Sequence, residues 1–218
     1  VRLNAEDGTY EKYTTLDGLG SNNVRKIIRD SQGNIWVTCH VSGVSSFDGE
    51  KWESFNFTNG LCSDDVITLA ADQKGGVWVS AYWGVSYFNG QQWASYSNVS
   101  PDEPAIGGAN PMKDCQNLTY VDAELSAVDA IFLDSRGNVW FSNRHDGATC
   151  YDGTGWKTFT KDDGMGSGGV SAFFEDNAGN LWFGSVMGDV TRSDGHSWEA
   201  FTISNKIPKS YIQNIAQD

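Results

Sequence analysis

The sequence predicts an all-β fold of repeated four-stranded units, and three observations support this. Four tryptophans recur at intervals of 42, 62 and 42 residues: Trp36, Trp78, Trp140 and Trp182. Each lies in a similar segment, as in "DSQGNIWV" and "DNAGNLWF". A second set closes each unit after a Gly-containing turn: Trp52, Trp93, Trp156 and Trp198. A fixed period near 42 residues is typical of a β-propeller.

The first complete unit shows how the four strands arise. Its opening strand alternates, with Val24, Lys26 and Ile28 predicted to share one face. The segment "DSQGN" predicts a turn, because Asp30 can accept hydrogen bonds from backbone donors ahead of it and Gly33 can adopt a positive φ. The segments "NIWVTC", "GVSSFDG" and "KWESFNF" then predict the second, third and fourth strands. Four antiparallel strands in about 42 residues form one propeller blade.

Both ends of the chain contain parts of a further unit. The start of a first strand is marked by an aliphatic residue in five places: Val24, Val66, Val128, Val170 and Ile212. The N-terminal "VRLNAEDGTYEKYTT" matches the last two strands of a unit, with Tyr10 in the place of Trp52 and Tyr13 in the place of Phe55. We therefore expect residues 1–218 to be one domain, with four complete blades and two halves of a fifth. The alternative, a fragment of a longer propeller, is favoured by the cut inside the last motif.

The chain resembles the two-component regulator propeller repeat. That repeat runs approximately G-L-x-S-N-x-V, then D-x-x-G-N-x-W-x-G-T, then G-V-x-x-F-D-G-x-x-W, and "GLGSNNVRKIIRDSQGNIWVTCHVSGVSSFDGEKW" follows it closely. The resemblance covers nearly the whole chain outside one insertion, although the Gly after the tryptophan strand is kept only at Gly184. It implies a periplasmic sensor propeller, commonly for glycans, and it extends to secreted surface proteins of no known activity.

Composition limits the classes of partner. The formal net charge is −13 and no basic run occurs, which argues against nucleic acid or an anionic membrane as partner. No apolar stretch has the length of a membrane span, so we expect no membrane contact by this segment.

The four cysteines do not occupy a repeating position. Cys39 ends the second strand of the first unit, and Cys62 lies in the loop that opens the next unit. Cys115 lies in the insertion, and Cys150 in the third strand of the unit that follows. We expect disulfides Cys39–Cys62 and Cys115–Cys150, and hence a periplasmic or extracellular location. Four free thiols in a cytosolic protein are the alternative.

An insertion at residues 97–125 lengthens the repeat by 20 residues between the second and third complete blades. It holds three of the four prolines and lacks the alternating pattern of a strand. Long loops in compact folds often carry function, and a loop here is expected to share a face with the loops between second and third strands. A lid or an interface filler is the alternative.

The loops between second and third strands differ where the strands agree: "CHVSG", "AYWG", "NRHDGA" and "SVMGD". They provide seven candidate ligand-binding residues: His40, Tyr82, Trp83, Arg144, His145, Asp146 and Met187. Trp83 is the one tryptophan outside the repeat, and an exposed indole can stack on a sugar ring. Arg144 and Asp146 can hydrogen-bond hydroxyl groups. We predict that this face binds a small molecule or an oligosaccharide; packing of Trp83 on the insertion or on a neighbouring subunit is the alternative.

No catalytic residue is predicted. Neither a G-x-S-x-G elbow nor an H-E-x-x-H motif occurs. The aspartates of the D-x-x-G-N-x-W turns recur in every unit, which favours a structural role, as in the similar turns of sialidase-type and streptogramin lyase-like propellers. Glycoside hydrolase or lyase activity is a minor alternative. No cofactor or zinc site is expected, and paired acids such as Asp64-Asp65 and Asp162-Asp163 leave only calcium as a candidate metal.

Two functions follow from these patterns. The leading one is a non-enzymatic, extracytoplasmic ligand-binding propeller of the sensor type. The competing one is a secreted structural subunit that associates with its own copies, because an incomplete blade exposes unpaired strand edges.

Overall fold

The computed structural model describes residues 2–3, 7–100, 102, 112, 114–115, 117–145, 147–166, 168–201 and 211–217. Four antiparallel four-stranded sheets follow one another along the chain, and the order of strands within each sheet is the order in the sequence. The predicted all-β propeller fold is therefore confirmed.

The strands are numbered in chain order. An N-terminal pair consists of β1 (Arg2–Leu3) and β2 (Tyr10–Glu11). Blade 1 consists of β3 (Val24–Arg29), β4 (Ile35–Cys39), β5 (Val44–Phe47) and β6 (Trp52–Phe55). Blade 2 consists of β7 (Val66–Ala71), β8 (Val77–Ala81), β9 (Gly84–Phe88) and β10 (Trp93–Ser97), with β11 (Leu118–Tyr120) added at its edge. Blade 3 consists of β12 (Ile131–Leu133), β13 (Val139–Ser142), β14 (Ala148–Tyr151) and β15 (Trp156–Phe159). Blade 4 consists of β16 (Val170–Glu175), β17 (Leu181–Ser185), β18 (Val190–Ser193) and β19 (Trp198–Phe201).

A β-bulge interrupts the first strand of blade 1. The pairing of β3 with β4 moves from Val24–Cys39 directly to Lys26–Thr38. The extra residue turns Val24 toward the face that carries Ile27, whereas Ile28 packs against the core between blades 1 and 2. The predicted grouping of Val24 with Lys26 and Ile28 on one face is therefore wrong.

The turn aspartates hold the first hairpin of each blade together. Asp30 accepts hydrogen bonds from the Gln32 and Asn34 backbone nitrogens at 3.0 and 2.8 Å, and from Trp36 Nε1 at 2.9 Å. Asp134 and Asp176 make the same set of contacts in blades 3 and 4. Each carboxylate accepts hydrogen bonds from its own turn and from the tryptophan of the same hairpin. We therefore assign these aspartates a structural role.

In blade 2 the turn aspartate, Asp72, accepts a side-chain hydrogen bond from a different donor. Its turn has Gly76 where the other blades have asparagine, and Tyr87 Oη donates to Asp72 Oδ2 at 2.8 Å. A Cβ atom at Gly76 would lie 2.1 Å from Tyr87 Oη, so the tyrosine occupies the space of the missing side chain.

The cores between consecutive blades share one design. The second-strand tryptophan of each blade packs against a fourth-strand aromatic of its own blade and the fourth-strand tryptophan of the next. Trp36 lies 5.8 Å from Phe55 and 6.2 Å from Trp93, measured between ring centroids. Trp78 lies 6.0 Å from Tyr96 and 6.1 Å from Trp156. Trp140 lies 5.5 Å from Phe159 and 6.4 Å from Trp198. Aromatic pairs in this distance range add about 0.5–1.5 kcal/mol each beyond the area that they bury.

Part of the insertion belongs to the sheet. Strand β11 runs parallel to β10, with Ser95 opposite Leu118 and Ser97 opposite Tyr120. The residues that follow are buried in the core between blades 2 and 3: Val121, Ala123 and Leu125. The second half of residues 97–125 therefore extends blade 2 and fills an interface, although its sequence lacks an alternating pattern.

The disulfide pairing differs from the prediction. Cys62 is bonded to Cys115, with 4.8 Å between their Cα atoms, whereas Cys39 and Cys150 are free and buried. Trp93 lies where the two bonded segments meet: Asn117 Nδ2 donates to its carbonyl oxygen at 3.4 Å, and a Cβ atom on Gly60 would overlap its ring. The parallel path of β11 along β10 thus carries Cys115 back to the loop of Cys62.

The two free cysteines are buried in different parts of the core. Cys39 is 1% exposed, and its Sγ atom lies 3.5 Å from Ser45 Oγ. Cys150 packs in the cluster of Trp140 and Met165, and burial raises the pKa of its thiol to about 12. The predicted Cys39–Cys62 and Cys115–Cys150 pairings are therefore wrong.

The two ends of the chain lie in the positions expected for parts of further blades. Tyr13 lies 5.2 Å from Phe47 and 5.7 Å from Trp52, which repeats the contacts of Phe55 with Phe88 and Trp93 at 5.5 and 5.4 Å. At the other end, residues 211–217 follow the first-strand path beside blade 4 without forming a strand there. Gln217 Oε1 accepts from the Asn177 nitrogen at 3.0 Å, as Glu175 accepts from Ser135.

Candidate functional site

The loops between second and third strands form a surface that we call the loop face, comprising residues 40–43, 82–83, 143–145 and 186–188. Three of these loops are fastened to the segment that enters the next blade. Gly43 N donates to Asp64 O at 3.0 Å, Ala127 N donates to Tyr82 O at 2.8 Å, and Gly147 N donates to Gly168 O at 3.2 Å. The loop face is therefore a set of short hairpin tips on a fixed backbone.

An aromatic pair stands at the tip of the blade 2 hairpin. The Tyr82 and Trp83 side chains are 47% and 38% exposed, and their rings meet edge to face with 4.8 Å between centroids. Ser97 Oγ donates to the Trp83 carbonyl oxygen at 2.6 Å, so the backbone beneath the rings is fixed at both residues. Both rings lie outside the buried clusters of the described residues.

Arg144 is held by an ion pair on the same face. Its Nη2 atom lies 3.0 Å from Asp129 Oδ1, and its Nε atom donates to Asp129 Oδ2 at 3.2 Å. The hydrogen bond to Asp129, followed by the charge of that carboxylate, raises the pKa of Arg144 above its ordinary value. Smaller contributions in the same direction come from the charges of Tyr82 and Tyr211. Ala127, whose nitrogen donates to the Tyr82 carbonyl oxygen, lies two residues before Asp129, so the tip of the blade 2 hairpin adjoins the segment that carries this ion pair.

The sequence analysis did not select Asp129 or Tyr211. Asp129 follows the Val128 anchor of blade 3, and the equivalent positions hold Arg25, Ile67 and Ser171. Because this position holds a different residue in each of the four blades, the repeat pattern carries no signal that singles out Asp129. Tyr211 is 48% exposed and precedes the Ile212 anchor.

The remaining predicted residues are distributed around this group. His145 and Met187 are exposed, and Met187 packs beside Gly168. His40 is half-buried, and its Nδ1 atom is buried without a hydrogen-bond partner. Asp146 lies outside the described residues. The Tyr82–Trp83 ring pair and the Arg144–Asp129 ion pair are brought together through the backbone bond between Ala127 and Tyr82. No described contact connects His40 or Met187 to either pair.

The acidic pairs considered for calcium have local roles. Asp64 Oδ1 accepts a hydrogen bond from the Phe57 nitrogen at 2.6 Å, and Asp163 Oδ2 accepts one from the Thr160 nitrogen at 3.0 Å. Among the described residues, no group of three His, Cys, Asp or Glu side chains is arranged to hold a metal ion. No helix in that part of the chain is long and apolar enough to cross a membrane.

The family model described as "two component regulator propeller" matches residues 18–40 and 164–186. These ranges cover the first hairpins of blades 1 and 4, together with the loops that lead into them. Two segments of the chain, one in blade 1 and one in blade 4, thus match the two-component regulator propeller repeat. The expected resemblance is thereby confirmed. No curated protein matches the sequence significantly.

Solved structures with the same architecture include the extracellular domains of two hybrid two-component systems from B. thetaiotaomicron. For BT3049, the TM-score is 0.61 at 21% identity, over 88% of this chain and 24% of that chain. For BT4673, the TM-score is 0.61 at 16% identity, over 90% of this chain and 25% of that chain. PorZ, a surface component of the type-IX secretion system of Porphyromonas gingivalis, gives a TM-score of 0.56 at 15% identity, over 90% of this chain and 30% of that chain. The chain thus spans about a quarter of the length of the first two structures.

Proposed function

We propose that this propeller segment is an extracytoplasmic binding module of the sensor type, which captures a small molecule or an oligosaccharide at the loop face and does not convert it. The observation that carries the proposal is the exposed Tyr82–Trp83 pair on a hydrogen-bonded hairpin. An aromatic ring on a rigid backbone loses little conformational entropy on binding, and it offers an apolar surface to the CH face of a sugar.

The neighbouring charges supply polar recognition. The guanidinium of Arg144 is exposed, and its pairing with Asp129 fixes the direction of its remaining N–H groups. Such groups donate to ring oxygens and hydroxyls, while the free lone pairs of the carboxylate accept from hydroxyls. An aromatic platform beside an arginine–carboxylate pair is a combination suited to a neutral or anionic sugar.

Two further observations support an extracytoplasmic location and a role in binding rather than catalysis. The Cys62–Cys115 disulfide favours an oxidising compartment, and the BT3049 and BT4673 structures are extracellular domains. The turn carboxylates are occupied by indole and backbone donors, which leaves them without a catalytic role. Capture of a ligand would reach a downstream element through rigid-body movement of the propeller.

The test is a binding screen of oligosaccharides by calorimetry, followed by the Trp83→Ala variant. We expect Trp83→Ala to weaken binding about fivefold, because one stacked ring contributes on the order of 1 kcal/mol. Tyr120→Ala is the matched control, since Tyr120 is an exposed aromatic on β11. Equal binding by Trp83→Ala and wild type, or unfolding of Trp83→Ala, would contradict the proposal.

A structural subunit is the second candidate function, and the outer face of blade 4 favours it. Trp182 stacks on Phe201 with 5.9 Å between ring centroids, and Phe201 is 39% exposed. In blades 1 to 3 the equivalent tryptophan is covered by the next blade. Light scattering over a wide range of protein concentration tests this candidate: growth in mass supports self-association, and a constant monomer mass removes it.

A further inference from the structure

A pocket of about 510 Å³ lies between blades 3 and 4, at the ends of the blades opposite to the loop face. The turn between β12 and β13 and the turn between β18 and β19 form its rim, with Arg136 on the first turn and His196 on the second. Its wall is largely aromatic and includes Trp140, Phe159 and Trp198. Both blades that form this pocket have all four strands.

A missing aromatic ring accounts for the size of the pocket. In the first three blades the third-strand residue opposite the fourth-strand tryptophan is aromatic: Phe47, Phe88 and Tyr151. In blade 4 the same position, opposite Trp198, holds Ser193. The equivalent pocket between blades 1 and 2, which Phe88 lines, has a volume of about 180 Å³. The pocket between blades 3 and 4 is therefore almost three times as large.

In blade 2 this third-strand ring covers the second-strand tryptophan of the preceding blade. Phe88 lies 5.5 Å from Trp36, measured between ring centroids. Ser193 has no ring, and its Oγ atom accepts a hydrogen bond from the Gly195 nitrogen at 3.1 Å. The side of Trp140 that lines the pocket therefore lacks the ring that covers Trp36.

The rim of the pocket is basic, although the chain has a formal net charge of −13. The basic residues that line it are Arg136, Lys157 and His196. The equivalent positions in blades 1 and 2 hold Gln32, Glu53 and Gln91. A basic rim thus distinguishes this pocket from the smaller one between blades 1 and 2.

Arg136 is held at the rim by contacts with the next blade. Its Nη2 atom donates to Gly179 O at 3.0 Å. A Cβ atom on Gly195 would lie 2.6 Å from its Nη1 atom, so the guanidinium lies against the turn that carries His196. The guanidinium is therefore fixed beside the opening of the pocket before any ligand arrives, which reduces the entropy that binding would cost.

One carboxylate, Asp152, also lines the pocket. Its Oδ1 atom accepts hydrogen bonds from the Thr154 and Gly155 nitrogens, both at 2.8 Å. Asp194, which lies two residues before His196, accepts hydrogen bonds within its own turn in the same way. These two carboxylates are thus engaged by backbone donors, and the basic groups of the rim are the ones available to a ligand.

We propose that the pocket between blades 3 and 4 binds a small aromatic carboxylate. The ring of the ligand takes the place of the third-strand aromatic residue that Ser193 replaces, beside Trp140 and Trp198. Its carboxylate lies at the rim, where Arg136 supplies N–H donors and Lys157 supplies a further positive charge. An apolar pocket with a few polar groups at one end is the usual form of a small-molecule site.

Calorimetric titration of the whole chain with phenylacetate tests the site. Phenylacetamide is the matched control for the charge, because it has the same ring and no carboxylate. Acetate is the matched control for the ring. We expect saturable binding of phenylacetate and at least tenfold weaker binding of both controls. The proposal is overturned if phenylacetate shows no saturable binding or if phenylacetamide binds equally well.

Two protein variants locate the binding. Ser193→Phe restores the aromatic residue of the other blades and fills the pocket, and we expect it to weaken phenylacetate binding at least tenfold. Arg136→Gln gives the turn the residue of blade 1, and we expect the same loss. Lys161→Gln is the matched control, because it removes one positive charge at an exposed residue outside the pocket; we expect wild-type binding. Thermal unfolding of each variant verifies folding, and Arg136→Gln decides alone if Ser193→Phe does not fold.

A third variant separates this pocket from the loop face. Trp83→Ala is expected to bind phenylacetate as the wild type does, because Trp83 lies at the other end of the blades. The proposal is overturned if the folded pocket variants bind phenylacetate normally, or if Trp83→Ala loses the binding instead. It is also overturned if glucuronate, an anionic sugar, binds more tightly than phenylacetate and loses its binding in the pocket variants. None of these results decides whether the loop face binds an oligosaccharide.

Discussion

Trp140 donates from Nε1 to Asp134 Oδ2 across 3.0 Å, and both side chains are almost completely buried, at 6% and 5% exposure. The same indole ring lies 6.4 Å from Trp198 of the next blade. One hydrogen bond thus connects the turn of a blade to the core between two blades. Asp30–Trp36 repeats the arrangement, and Asp176–Trp182 repeats the hydrogen bond.

Asp134→Ala removes the acceptor of that bond and of three turn bonds. We expect a loss of about 2–4 kcal/mol in the free energy of unfolding, because hydrogen bonds to charged groups contribute about 1.5–3 kcal/mol each and are not additive. Urea denaturation measures the loss. Asp122→Ala, at an exposed aspartate, is the control and is expected to change stability by less than about 0.5 kcal/mol. Equal stability of the two variants would show that the turn contacts are dispensable.

The turn of blade 2 allows a test of whether Tyr87 takes the place of the asparagine that the other turns have. Gly76→Asn restores the asparagine of the other turns, but its Cβ atom would collide with Tyr87. We expect the single variant to lose about 1–3 kcal/mol through overpacking. In the Tyr87→Ser background, which matches Ser46 of blade 1, the same change is expected to cost less. A double-mutant cycle by chemical denaturation measures the coupling, and additive changes would refute the substitution of Tyr87 for asparagine.

Acid is expected to destabilise the protein in a defined window. Hydrogen bonds from Trp182 and Asn180 lower the pKa of Asp176 to about 2, and backbone hydrogen bonds from His196 and Ser197 lower the pKa of Asp194 to about 2. Because the folded-state pKa lies below the unfolded value near 3.9, the stabilisation is present above about pH 4 and is lost as the pH falls toward 2. Thermal unfolding between pH 2 and 6 measures this, and Asp176→Asn should show a shallower dependence. A flat profile in the wild type would contradict the expectation.

The cysteines give a chemical test of the fold. Peptide mapping under non-reducing conditions should recover a Cys62–Cys115 linked peptide, and alkylation should modify two thiols only after denaturation. The disulfide closes a loop with a sequence separation of 53, so Cys115→Ser is expected to lose up to about 4 kcal/mol. Cys39→Ser serves as the control for loss of a thiol without loss of a bond. Recovery of a Cys39–Cys62 peptide would show that the register of β11 is wrong.

The candidate site was predictable only in part. The sequence selected Tyr82, Trp83 and Arg144, because each departs from the repeat in a loop between two strands that keep the repeat pattern. It did not select Asp129, which lies 15 residues before Arg144 in the segment that leads into β12 and meets it only in the folded blade. It also grouped His40 and Met187 with the others, although no described contact links them.

The sequence by itself determined the four blades, the order of their strands and the roles of the turn aspartates, because turn chemistry and two-residue alternation act over a few neighbouring residues. Only the tertiary structure decided the Cys62–Cys115 pairing, the parallel strand β11 and the face to which Val24 belongs. Each of these depends on where distant segments meet or on one extra residue in a ladder. The disulfide and β11 arise in the insertion, where the repeat is broken. The bulge recurs at the same place in blades 2 and 4, but alternation read along one strand does not show an extra residue.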